Sequence, residues 1–212
     1  PLGDDLERVL DRSIRFDNDA NCFALSEARD GAAQGYGVVF GVILGTGTGG
    51  GLVVDGHVWR GPNAIGGEWG HNPLPWPGPD EHPGPRCYCG QTGCIETFLS
   101  GPGLAADHER ATGQRVAPAR IVASAAAGDP AAEATLARYD DRLARSLATL
   151  INTLDPDVIV LGGGLSNLDR LYAAVPRLWG TYVFSDQVVT TLVPPAHGDS
   201  SGVRGAAWLW DP

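Results

Sequence analysis

The sequence predicts a mixed α/β fold, and three segments carry that expectation. Val38–Leu44 is a short, uninterrupted apolar run of strand length, and Asp157–Leu161 is apolar after its first residue, the mark of strands buried on both faces. Between them, Ala131–Leu154 repeats Leu136, Leu143, Leu147, Leu150, Ile151 and Leu154 at helical spacing. Strands alternating with helices define the α/β class. A chain of 212 residues, 43% hydrophobic and 19% charged, is long enough to bury a proper core.

The N-terminal PLGDDLERVL is too polar for a signal peptide, and no apolar run reaches bilayer length, so a cytoplasmic protein without membrane contact is expected. Ser13–Asp17 reads as a short strand. Asn18 or Asp19 then caps a helix from Asp19 to about Ala33, ended by Gly35–Gly37. After the strand at Val38–Leu44, the glycine-rich turn GTGTGGG leads to a strand at Leu52–Val54. Asp55-Gly56 turns that strand into His57–Trp59. Helices dominate the second half. Asp155-Pro156 ends the long one, the Asp157–Leu161 strand follows, and Gly162-Gly163-Gly164 precedes a helix from about Asn167. Repeats, low-complexity runs and linkers are absent from the sequence.

A formal charge of −10 argues against nucleic acid as a partner, which needs a basic face. All fifteen basic residues are Arg, which excludes a P-loop lysine or a Schiff base within this chain. The chain has no Met and opens on Pro1, and the expectation is a piece of a longer protein.

Three of the four cysteines, Cys87, Cys89 and Cys94, fall within eight residues, in a Pro- and Gly-rich loop that begins near His71. The loop can be neither a long helix nor a central strand. His71, Cys87, Cys89 and Cys94 supply the four nitrogen and sulfur ligands of a closed tetrahedral zinc site. Disulfides or free thiols are the alternatives. Cys87 and Cys89 are too close to pair easily, and nothing points to an oxidising compartment. Glu68 and Glu96 flank the ligands, so a metal-braced loop would hold a carboxylate on each side.

Gly45-Thr46-Gly47-Thr48-Gly49-Gly50 matches G-x-G-x-x-G, the dinucleotide-binding pattern. That pattern requires a helix at the third glycine, whereas Leu52–Val54 reads as strand. A strand–glycine–strand hairpin can instead hold phosphate oxygens with its amides and two Thr hydroxyls. Gly162–Gly164 stands at the C-terminal end of a buried strand, where α/β sheets bind nucleotides.

Together these residues resemble the ROK (repressor, open reading frame, kinase) family of bacterial sugar kinases and sugar-responsive repressors. The marks are Asn18-Asp19-Ala20-Asn21, Gly45–Gly51, Glu68-Trp69-Gly70-His71, Cys87–Glu96 and Val158–Ser166. The stretches GEWGHNPLPW, CYCGQTGCIETF and HGDSSGVRGAAWLW look most like manno(fructo)kinase-type fructokinases, and N-acetylglucosamine kinases share many of the marks.

The resemblance implies an actin-like ATPase (ribonuclease H-like) fold, mostly its second, C-terminal domain with the zinc-braced loop at 71–94. Residues 1–24 would be the remnant of the N-terminal lobe, 25–201 the sugar- and nucleotide-binding lobe, and 202–212 a helix returning to the first. Asp19 would be the general base and Asn18 a sugar ligand. Glu68, His71 and Glu96 would hold further hydroxyls, with His71 also on zinc. Gly45, Thr46, Gly47, Thr48 and Gly49 would bind ATP phosphates, and Gly162, Gly163 and Gly164 the adenosine. The implied reaction is ATP- and Mg²⁺-dependent phosphorylation of a hexose at O6, fructose first, with N-acetylglucosamine or glucose as alternatives. A sugar-sensing repressor is the alternative of another class, and a homodimer is the implied assembly. Family kinases open with D-x-G-G-T, which meets Mg²⁺ and the terminal phosphates; Asp4 and Asp5 lack that glycine context.

Overall fold

Each central strand sends alternate side chains to opposite faces of one sheet, and helices cover both faces. The computed structural model describes residues 2–210, so the end of the segment expected at 202–212 lies outside the described residues. The sheet contains β1 (Val38–Leu44), β2 (Thr48–Val54), β3 (His57–Val58), β4 (Val158–Gly162) and β5 (Thr191–Val193), in the order β3-β2-β1-β4-β5. β2 runs antiparallel to both its neighbours, while β1, β4 and β5 are parallel. The helices are α1 (Leu2–Leu10), α2 (Asp19–Asp30), α3 (Glu96–Leu99), α4 (Gly101–Thr112), α5 (Pro118–Ala126), α6 (Pro130–Leu154), α7 (Arg170–Trp179) and α8 (Ser201–Trp208).

Phe40, Val42, Leu44, Ile159 and Leu161 pack toward α6, joined by Leu143, Leu147 and Ile151. Val39, Val53, Val158 and Val160 face the other way, onto Phe23 and Leu25 of α2 and onto Leu209. The α/β class expected from the sequence is thus present. A Cβ on Gly205 of α8 would strike the Cys22 backbone, so the small residue sets how closely α8 lies on α2. Glu27, wholly buried in α2, ties down the returning chain. It accepts from the amide of Ala196 (2.9 Å) and the hydroxyl of Ser201 (2.7 Å). The boundary expected at residue 24 falls within α2, and the one at 202 within α8.

Several local expectations are corrected. Ser13–Asp17 is not a strand. The Ile14 amide goes to the Glu7 carboxylate (2.8 Å), and Asp17 accepts from Arg60 (2.7 Å) and Asn21 (2.6 Å), so the segment is held by side chains and not by a ladder. Helix α2 stops before Ala33 because the Glu27 carboxylate takes the Ala32 amide (2.8 Å). β2 begins at Thr48, four residues earlier than expected. Gly49, Gly50 and Gly51 pair with Ile43, Val42 and Gly41, which shrinks the turn to Gly45–Gly47. A Cβ on Gly51 would meet the Ala20 carbonyl, so this glycine admits α2 to the sheet. The helix expected from Asn167 is a 3₁₀ turn at Gly164–Asn167, followed by α7.

The long helix α6 matches expectation within a residue. Asp129 caps it through the Ala131 amide (2.9 Å), and Asp155 in the left-handed region ends it. Two of its buried arginines brace the loop at 71–94. Arg145 donates to the carbonyls of Pro75 (3.0 Å) and Trp76 (2.6 Å) and pairs with Glu81 (2.9 Å). Arg142 bridges Glu81 (2.7 Å) and Asp107 of α4 (2.9 Å).

Candidate active site and metal cluster

The four expected metal ligands converge. His71, Cys87, Cys89 and Cys94 each offer one ligand atom, and all four atoms lie within 4.8 Å of one another. The His71 Nδ1 to Cys87 Sγ distance is 3.5 Å and Cys89 Sγ to Cys94 Sγ is 3.6 Å. Metal–ligand bonds of ordinary length in a zinc tetrahedron give N···S edges of about 3.6 Å and S···S edges of about 3.8 Å. The donor set and its size therefore fit a tetrahedral zinc. All four cysteines are free thiols, which sets the disulfide alternative aside. Burial, together with the sulfurs of Cys89 and Cys87, pushes the Cys94 thiol up to about 12. Three crowded sulfurs do not readily ionise together unless a cation compensates them.

The metal loop opens onto a polar cavity of about 460 Å³. Asn18, Asp19, Glu68, His71 and Glu96 all line it, so every residue expected to touch sugar reaches one space. Asn18 caps α2: its Oδ1 accepts from the Asn21 amide at 2.7 Å. Asp19 occupies the first helical position, exposed, with one carboxylate oxygen on the Ala20 amide (2.9 Å). The choice between the two caps is settled in favour of Asn18. Glu96 opens α3 just past Cys94, and its Oε2 accepts from the Thr48 amide at 2.9 Å.

Tyr88, between two thiol ligands, escapes sequence reasoning. Its hydroxyl lies 2.9 Å from His71 Nε2, the imidazole nitrogen other than the one beside Cys87, and its ring stands edge-on to the imidazole at 5.0 Å. The Glu96 carboxylate, then slight desolvation of the exposed ring, raise the phenol above its ordinary value. The only advance signal was its position inside C-x-C.

A second, larger cavity of about 800 Å³ lies on the other side of the Gly45–Gly47 turn. Its walls are apolar, with Leu44, Pro118, Val122, Leu165 and Leu168 among the lining residues. Gly164 lines it, whereas Gly162 and Gly163 do not. A Cβ on Gly162 would meet the Phe23 ring at 2.7 Å and one on Gly163 the Leu44 carbonyl at 2.6 Å, so these two glycines serve packing. Thr48 is buried and its amide is taken, and the Gly49 carbonyl accepts from Trp69 (2.9 Å). Of the expected phosphate loop, Gly45 lines this cavity, while Gly47, Thr48 and Gly49 line the polar one. Thr46 lines both cavities. The contribution of α5 was not foreseen, because an amphipathic helix reads the same whether it covers core or cavity.

No helix among the described residues is long and apolar enough to cross a membrane. A family model described as "ROK family" matches residues 1–212. The N-acetyl-D-glucosamine kinase of Yersinia pseudotuberculosis serotype O:1b is 43% identical over 213 residues, covering 99% of this chain and 70% of that protein. The N-acetyl-D-glucosamine kinase of Photobacterium profundum is 44% identical over 212 residues, with 98% and 70% covered. Among solved structures, a ROK hexokinase from Thermus thermophilus superposes with a TM-score of 0.87 at 34% identity, covering 98% of this chain and 68% of that one. A ROK glucokinase from Streptomyces griseus, in complex with glucose and AMPPNP, gives 0.83 at 28% identity, with 99% and 72% covered. The expected actin-like ATPase fold is borne out by these likenesses.

Proposed function

This chain belongs to the ROK family, and from that premise we propose that it phosphorylates a hexose at O6 with ATP, N-acetyl-D-glucosamine being the substrate. The single observation that carries the reading is the place of Thr46, at the wall between an apolar cavity fit for a purine and a polar cavity fit for a sugar. Phosphoryl transfer asks mainly for two substrates held in line with a charge-tolerant loop between them. The fructose expected from sequence gives way to its alternative: curated relatives at 43% and 44% identity are N-acetyl-D-glucosamine kinases.

Asp19 takes the proton of the attacking hydroxyl, its carboxylate spared from capping by Asn18. Glu68, His71 and Glu96, which line the same cavity, orient the remaining hydroxyls. For a hydroxyl to reach His71 Nε2, the exposed Tyr88 must yield its hydrogen bond. The amides of Thr46 and Gly47 face the transferred phosphoryl group. His71, Cys87, Cys89 and Cys94 would hold zinc, which would brace the loop in a structural and not a catalytic role. Mg²⁺ supplies charge neutralisation on the phosphates, which the lining carboxylates Asp19, Glu68 and Glu96 do not.

The test is kcat/KM with ATP and Mg²⁺ for N-acetylglucosamine, glucose, mannose and fructose. The reading expects N-acetylglucosamine to lead; a lead for fructose restores the first expectation. Turnover of none of the four favours the sugar-sensing alternative, a class represented among the similar structures by a ROK transcriptional regulator (TM-score 0.82, 26% identity).

A further inference from the structure

We propose that Glu96 is a positioning residue for the phosphate loop as well as a sugar contact, so that occupation of the sugar cavity is transmitted to the nucleotide side. The proposal rests on the kinase reading above. Glu96 stands two residues beyond Cys94, where the metal loop passes into α3. Its Oε2 accepts the Thr48 amide at 2.9 Å, and a Cβ on Gly47 would lie 2.7 Å from that same oxygen. Glycine at this position lets the turn come so close to the carboxylate without pushing the Glu96 side chain aside.

The same segment pins the turn a second time. The Gly101 amide, at the start of α4, donates to the Gly45 carbonyl at 2.8 Å, and the Gly45 amide closes onto the Gly47 carbonyl at 2.9 Å. The amides of Gly45 and Thr48 are thereby consumed. Those of Thr46 and Gly47 take no partner among the described residues and are the ones held out for a ligand. Loop shape thus depends on residues 96–101, which the metal ligands anchor. Glu96 Oε1, with no partner of its own among the described residues, remains for a sugar hydroxyl, and the side chain lines the sugar cavity. A group that binds one substrate with one oxygen and holds the other substrate's loop with its second couples the two sites, and such coupling is reciprocal.

The experiment compares Glu96→Ala, Glu96→Gln and wild type. Glutamine keeps a carbonyl oxygen able to accept the Thr48 amide, whereas alanine does not. Amide hydrogen exchange at residues 45–48 should accelerate by roughly tenfold in the alanine variant and stay near wild type in the glutamine variant. Affinity for ADP with Mg²⁺, measured by calorimetry without sugar, should fall roughly two- to tenfold with alanine and be retained with glutamine. A residue that only contacts sugar would move neither readout. Should the alanine variant fail to fold, Glu96→Asp, one methylene too short to reach Thr48, carries the same expectation. Unchanged exchange at residues 45–48 in the alanine or aspartate variant overturns the proposal, as does a glutamine variant that exchanges as fast as alanine. If wild type binds no ADP, the kinase reading fails, and the exchange rates still decide the role of Glu96.

Discussion

Asp19 and Asn18 are neighbours with separate tasks, and the separation is what makes Asp19 available. With the Asn18 side chain on the Asn21 amide, α2 keeps its cap whatever stands at position 19. Asp19→Asn should therefore melt close to wild type while its turnover falls by roughly 10²–10⁴-fold, the range for loss of a general base. Melting temperature and kcat measured on the same preparation check this. A stable variant with near-normal turnover would remove Asp19 from the chemistry. Legibility at this scale was uneven. Residue type and spacing picked out the four residues that the structure brings together as candidate metal ligands, because three sulfurs and an imidazole have few other reasons to crowd together. They did not reveal that Thr48 is buried or that Gly162 and Gly163 face Phe23 and Leu44, since a glycine serves packing and ligand approach equally well.

Among the elements, α6 does the most to hold the site. Its buried Arg142 and Arg145 reach Glu81 and so fix a loop that has almost no regular structure of its own. Burial alone would raise the Glu81 pKa. Hydrogen bonds from Arg142 and the Gly78 amide, with the charge of Arg145, outweigh burial and hold it below its ordinary value. A carboxylate depressed in the folded state stabilises above its unfolded pKa, and that contribution is lost as pH falls through the folded one. Glu81→Gln should thus be less stable than wild type at pH 7, and the gap should narrow below about pH 4.5. Urea unfolding across that range checks it, and a constant gap down to about pH 3 would show that the pairing is not the source of the difference. The sequence displayed α6 and the central strands because their apolar patterns are long and regular. Ser13–Asp17 misled because a short apolar-polar alternation becomes a strand only if a neighbouring strand is free to pair, and here Glu7 and Arg60 take the segment instead.

For the whole molecule, one sheet sets the geometry: β1 and β2 deliver the Gly45–Gly47 turn at their junction, with the apolar cavity on one side and the carboxylate-lined one on the other. The α/β class was legible from alternation alone. The two cavities were not, because each is assembled from segments far apart in the chain, such as Thr46 with Leu165 or Asp19 with Glu96. On the proposed reading, the phosphoryl group passes directly from nucleotide to sugar across Thr46. Phosphorus NMR of the protein with ATP, Mg²⁺ and N-acetylglucosamine follows that transfer atom by atom. The account predicts loss of the γ-phosphate signal matched by ADP and a single sugar 6-phosphate, with no free phosphate released first. ATP consumed to inorganic phosphate with the sugar unmodified, or a phosphate at another hydroxyl, would contradict it.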